Sequence, residues 1–146
     1  MVLAGGVPVF ADIDPKTFNI DPNHVASLIT KKTKAIMPVH LYGHIAPMDE
    51  INALASKNNL LVFEDAAQGH LASLNGKNSG EFSTVASFSF YPTKNMTSGE
   101  GGMCVTDSAE VARMLKLLRN QGQEIRYKNE VVGFNTRMTD IHAAIG

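Results

Sequence analysis

Tryptophan is absent from the 146 residues and cysteine occurs once. With Cys104 alone, in the apolar run Gly102-Met103-Cys104-Val105, no disulfide framework and no cysteine-based metal site can be built, and the position reads as a small buried hydrophobe. Neither sign of charge is in excess. The formal net charge is −1 with lysine and arginine scattered, so the footprints of a nucleic-acid binder and of a polybasic membrane anchor are both missing. No apolar run approaches bilayer-spanning length, and Met1-Val2-Leu3-Ala4-Gly5-Gly6 lacks a basic region followed by a long apolar stretch. These absences point to the cytoplasm, with no membrane and no nucleic-acid partner, and leave a small or acidic metabolite as ligand. Internal repeats and low-complexity segments are absent too.

What is present suffices for one core: 44% of residues are hydrophobic, and nothing in the chain suggests two domains. Short apolar runs alternate with helical patterns, the rhythm of an α/β class with a mostly parallel sheet flanked by helices. Strands are expected at Val7 to Ile13, Lys34 to Val39, Leu60 to Phe63, Val85 to Phe90 and Gly102 to Thr106. Asp21-Pro22, a cap with proline at the first helical position, opens a helix to about Ile29. A second runs from Pro47 with apolar positions Met48, Ile51, Leu54 and Ala55, stopping near Asn58-Asn59. Ser108 caps a third, whose apolar face is Val111, Met114, Leu115 and Leu118. Asn75-Gly76-Lys77 predicts a turn.

Fully apolar strands such as Leu60-Leu61-Val62-Phe63 predict a sheet covered on both faces, and ligands of open α/β sheets sit beyond the carboxyl ends of the strands. His40, Asp65 and Ser89 fall at such ends, and Lys94 follows closely. In Glu64-Asp65-Ala66-Ala67-Gln68, a carboxylate ends a buried strand and two alanines let something large approach. An aspartate there also suits a helix cap, and one of the two acids is expected to point outward. In Ser87-Phe88-Ser89-Phe90-Tyr91-Pro92-Thr93-Lys94-Asn95, hydroxyls and a proline-fixed turn precede a lysine. A single lysine is usually a solvated surface group. A lysine, an acid and a hydroxyl-lined phosphate cradle together are what pyridoxal 5′-phosphate (PLP) requires: an amine for the aldehyde, an anion for the pyridine nitrogen and a seat for the phosphate.

Those segments, with Pro38-Val39-His40-Leu41-Tyr42-Gly43, Gly99-Glu100-Gly101-Gly102 and Leu118-Arg119-Asn120-Gln121-Gly122, resemble the DegT/DnrJ/StrS family of PLP-dependent sugar aminotransferases in order and spacing, from about Ala4 to the last residue. The resemblance implies the large domain of a fold-type-I PLP enzyme. It implies transfer of an amino group from an amino acid, glutamate by family analogy, to a keto sugar nucleotide in polysaccharide biosynthesis. Lys94 matches the lysine that bonds the cofactor aldehyde, Asp65 the partner of the pyridine nitrogen, Gln68 the residue beside the ring and its phenolic oxygen, and Ser89 a phosphate ligand. Asn135, in Gly133-Phe134-Asn135-Thr136-Arg137-Met138, matches an asparagine that reaches the neighbouring subunit's cofactor phosphate, so a homodimer with shared active sites is implied. Arg137 stands beside it without an assigned role.

Other readings are weighed on particular residues. A dehydratase branch of the same family carries histidine where Lys94 stands. Cysteine desulfurases typically carry histidine directly before the lysine, where this chain has Thr93. A dinucleotide-binding domain would need Gly-x-Gly-x-x-Gly after the first strand, and none follows. His40 either contacts ligand or orients a loop. Ser98-Gly99-Glu100-Gly101-Gly102 reads as a turn before a phosphate seat. His24, His44, His70 and His142 form no metal-ligand grouping. The family's N-terminal glycine-hydroxyl helix start, its stacked aromatic residue and its C-terminal small domain are not found in 1–146, so a partial large domain is expected. An inactive remnant, or a binding and dimerisation module, is the competing outcome.

Overall fold

The computed structural model describes residues 1–146. Helix α1 (Pro22–Leu28) starts where Asp21 accepts the Asn23 N–H at 2.8 Å. Strand β1 (Ala35–Ile36) follows, then α2 (Met48–Asn58), which ends with Asn59 in the left-handed conformation that stops helices. Strand β2 (Leu61–Asp65) leads to a small hairpin, β3 (Ser73–Leu74) and β4 (Lys77–Asn78). Its turn has φ of 52° at Asn75 and 80° at Gly76, the pair of positive values an Asn-Gly hairpin turn demands. Then come β5 (Val85–Ser89), β6 (Gly102–Val105), α3 (Ala109–Arg119), the hairpin β7 (Gln123–Ile125) and β8 (Lys128–Asn129), and α4 (Asp140–Ile145). No helix is long and apolar enough to cross a membrane.

The main sheet has the order β1-β2-β5-β6. The β1–β2 and β2–β5 pairs are parallel, and β6 closes the edge antiparallel to β5. The α/β class with a mostly parallel sheet and helices is thus borne out, and β1, β2 and β5 point their carboxyl ends to one rim. Val62 and Ile36 share a face and pack with Val25 of α1 and with Met48, Ile51 and Ala55 of α2 into the core. The opposite face, bearing Phe63, Asp65, Val85 and Ser87, is only half-buried. A sheet covered on both faces was expected; within this chain α1 and α2 cover one.

Three further expectations change. Val7 to Ile13 forms no strand: Val7, Val9 and Phe10 are 86%, 69% and 87% exposed, and only Ile13 bridges, to Ile20. A strand needs a partner edge, and none of the sheet's strands lies alongside; Pro8 has no N–H to offer one. Cys104 is exposed, because it is paired in register with Ser87 and so lies on the open face of the sheet. On α3 the buried residue is Leu117, while Met114 and Leu118 are 39% and 40% exposed. The chain returns after the helix to bond the Leu117 carbonyl with the N–H groups of Asn120 and Gly122 at 3.0 and 2.8 Å, which roofs that side of the helix.

Candidate active site

Strand alternation decides what each acid at the end of β2 can do. Glu64 points to the core face and is 1% exposed. Its Oε2 accepts from His40 Nε2 at 2.8 Å and Gly80 N at 2.7 Å, and its Oε1 accepts from Phe82 N at 3.1 Å and Ser83 Oγ at 2.7 Å. Burial pushes the Glu64 carboxyl pKa up, but the hydrogen bonds from His40, Gly80 and Ser83 outweigh it and hold the group below the ordinary glutamate value. Asp65 points to the opposite, open face. One of its oxygens accepts the Ala67 N–H at 3.0 Å, an Asx turn that leaves the other oxygen free.

Asp65 is paired in register with Ser87, so Ser89, two residues on, lies on the same face one step nearer the rim. One strand spacing across and two residues along separate Asp65 from Ser89 by about 8 Å, the length scale of a substituted pyridine ring. Ser89 Oγ accepts the Tyr91 N–H at 3.3 Å, and its own hydrogen stays available to donate. Beyond Ser89 the chain turns, with Lys94 N bonded to Tyr91 O at 3.0 Å. That turn brings Lys94 to an open pocket of about 250 Å³ lined by Tyr42, Gln68, Thr93, Lys94 and Asn95. Gln68 Oε1 accepts the Tyr42 N–H at 2.7 Å, so the side-chain NH₂ is the part of Gln68 left for a ligand.

Of the five residues singled out from sequence, Lys94 and Gln68 share the pocket, and Asp65 and Ser89 share the adjoining sheet face at the same rim. Asn135 is not among them: it is exposed and bridges Asn120 beyond α3. Arg137 NH1 bonds the Asn120 Oδ1 of the same segment. His40 orients a loop. It is fully buried, its Nδ1 accepts the Ala46 N–H at 3.2 Å, and the proton therefore sits on Nε2 facing Glu64. The glycine cluster is a turn on which the C-terminal segment rests, with the Ser98 Oγ donating to Glu100 O at 2.9 Å and a Cβ at Gly101 having no room beside Met138. Sequence reasoning missed Thr93 and Asn95 as lining residues and the backbone of Tyr42 as the partner of Gln68. Only the Tyr42-Gly43 pair hinted at the last, as a site for left-handed backbone. The larger groove, about 320 Å³ between α1 and α2, holds none of the candidates.

The model of the DegT/DnrJ/EryC1/StrS aminotransferase family matches residues 1–146. The chain belongs to that family. Its relatives include GDP-perosamine synthase of Caulobacter vibrioides, 51% identical over 144 residues that cover 97% of this family member and 39% of that protein. A pleiotropic regulatory protein of Geobacillus stearothermophilus is 50% identical over 143 residues, covering 97% of this chain and 38% of its own. Among solved structures, NtdA from Bacillus subtilis with the bound cofactor PMP superposes with a TM-score of 0.91 at 36% identity, over 99% of this chain and 33% of that one. The chain therefore spans less than two-fifths of the length of these relatives.

Proposed function

We propose that residues 1–146 are part of the PLP-binding large domain of an aminotransferase that moves an amino group from an amino acid, with glutamate the expected donor, to a keto sugar nucleotide. The observation that carries the reading is the meeting of Lys94 and Gln68 in one pocket, beside the sheet face that bears Asp65 and Ser89. The donor set suits the cofactor: a primary amine, a carboxylate with one free oxygen, a hydroxyl with a free hydrogen and an amide with free N–H groups. The bound cofactor in NtdA and the sugar-nucleotide name of the Caulobacter relative support the same assignment. A cytoplasmic homodimer serving polysaccharide biosynthesis, with Asn135 acting on the partner's phosphate site, completes the proposal.

When bound, PLP supplies an aldehyde that exchanges amino groups and a ring that withdraws electrons. In this reading Lys94 Nζ would hold the cofactor through its aldehyde carbon and would serve the reaction as the group that takes up and returns a proton. The free Asp65 oxygen would accept the pyridine N–H and hold that proton in place. Ser89 Oγ would donate to the phosphate, and Gln68 Nε2 would donate to the phenolic oxygen.

Titrating the purified chain with PLP tests the proposal. A visible absorbance band should appear, borohydride should fix the cofactor on the peptide containing Lys94, and Lys94→Ala should lose both. No band in the unmodified chain, or fixation that persists in Lys94→Ala, would overturn it, and the first result would favour a binding or dimerisation module.

A further inference from the structure

The pocket is shaped from the other side of the sheet. Gln68 can present its NH₂ to a ligand only because the Tyr42 N–H occupies its Oε1 at 2.7 Å. Tyr42 holds that amide in place from a left-handed backbone, φ 54° and ψ 25°, which residues with a Cβ avoid unless their surroundings enforce it. The enforcing groups are buried beneath. Asn19, 2% exposed, accepts the Leu41 N–H at 3.2 Å and donates to His44 O at 3.1 Å. His40, fully buried, ties the two ends of the loop together through Nδ1 and the Ala46 N–H at 3.2 Å. Nε2 of the same ring is anchored to Glu64 at 2.8 Å, and the His40 N–H bonds Asp65 O at 3.0 Å. The ring also lies against the turn that carries Gln68: a Cβ at Gly69 would stand 3.4 Å from the His40 Cδ2.

We infer that His40 is a positioning residue for the cofactor pocket, holding the 40–46 loop so that Tyr42 turns Gln68 into a pure hydrogen-bond donor. A pure donor suits an oxygen carrying negative charge, such as the cofactor's phenolic oxygen, and in that respect the inference rests on the proposed function. His40 touches neither the pocket nor any ligand; it acts through Ala46 and the strained Tyr42 amide. Loss of the Nδ1 contact releases the loop, the Gln68 amide rotates freely, and an acceptor oxygen is then as available to the pocket as a donor.

Side-chain amide resonances read this directly, because the chain has only three glutamines, Gln68, Gln121 and Gln123. In His40→Ala the Gln68 amide pair should move toward the position of an unstructured glutamine, and exchange of the Tyr42 amide should quicken. In His40→Asn, whose Oδ1 stands near the place of Nδ1 and can accept the Ala46 N–H, both should stay native. The dissociation constant for PLP should rise about tenfold in the alanine variant, the equivalent of one lost hydrogen bond, and recover in the asparagine variant. Native Gln68 and Tyr42 signals in a folded His40→Ala would overturn the inference. Should His40→Ala not fold, disturbed signals in a folded His40→Asn would do the same. Disturbed signals in His40→Ala, restored in His40→Asn, in a chain that binds no PLP would sink the functional reading and leave the positioning role standing.

Discussion

Replacing Glu64 by glutamine keeps the shape of a buried side chain and removes its charge, so its effect isolates what the carboxylate does for the fold. Four donors converge on it, two per oxygen. A glutamine can keep its oxygen toward His40 and Gly80 and turn its NH₂ toward Phe82 and Ser83. The Ser83 hydroxyl can adapt by turning its one hydrogen from the carboxylate to the Val85 carbonyl, 3.0 Å away. The Phe82 N–H cannot, and leaving it unsatisfied costs about 1–3 kcal/mol. Loss of charge on the two bonds that survive removes about 1 kcal/mol each, and relief of carboxylate desolvation returns part of the sum. The net expectation is a loss of about 2–4 kcal/mol at neutral pH, or roughly 10 °C in midpoint for a chain of this size. The sign of the pH dependence follows from the depressed pKa. Glu64 stabilises fully above the unfolded glutamate value and loses that contribution as pH falls through its lower folded value. Urea unfolding of both proteins at neutral pH and across the acid range should therefore show a gap that is widest at neutral pH and closes on acidification. Equal stability at neutral pH, or a gap that acid leaves unchanged, would refute the account of Glu64 as a paired and saturated anion.

Two other substitutions or reagents test separate parts of the structure. Gly122 has φ of 74°, and a Cβ there would collide with the Val131 carbonyl, so Gly122→Ala should destabilise the chain by about 2–4 kcal/mol in urea unfolding and free the Glu130 amide in hydrogen exchange. Partial burial pushes the pKa of the Cys104 thiol up although the residue is exposed, so a thiol reagent at neutral pH should label Cys104 more slowly than it labels free cysteine, with the rates converging at high pH.

The helices were legible because their ends are written in local chemistry. Asp21-Pro22 and Ser108 cap the starts of α1 and α3, and Asn59 takes the left-handed stop of α2, all interactions within a few residues. Pairing was harder to read. Val7 to Ile13 has a strand's composition and no neighbour, and the alternating pattern, which suggested a mostly parallel sheet, does not tell that β6 is the strand running antiparallel. Burial of Leu117 instead of Met114 and Leu118 depends on where the chain goes after Arg119, which the period of α3 does not encode. At the site, Asp65, Ser89 and Lys94 were singled out because they close or closely follow strands and Gln68 because it follows Asp65 in one motif, whereas the Tyr42–Gln68 bond spans 26 residues and is hinted at only by the Tyr42-Gly43 pair.

The pair Glu64-Asp65 shows why adjacency in sequence sorts structure from chemistry here. Successive side chains of a strand face opposite ways, so one register determines which acid is saturated by donors beneath the sheet and which keeps a free oxygen above it. The parallel bonds from Asp65 N to Pro38 O at 2.9 Å and from His40 N to Asp65 O at 3.0 Å fix that register, and they seat His40 beside Glu64 in the same stroke. A slip of one residue would bury Asp65 and carry Glu64 away from its four donors, costing the fold several kcal/mol through unpaired groups. The buried acid thus fixes the orientation of its neighbour, which is why stability measurements on Glu64 bear on the candidate site proposed for Asp65.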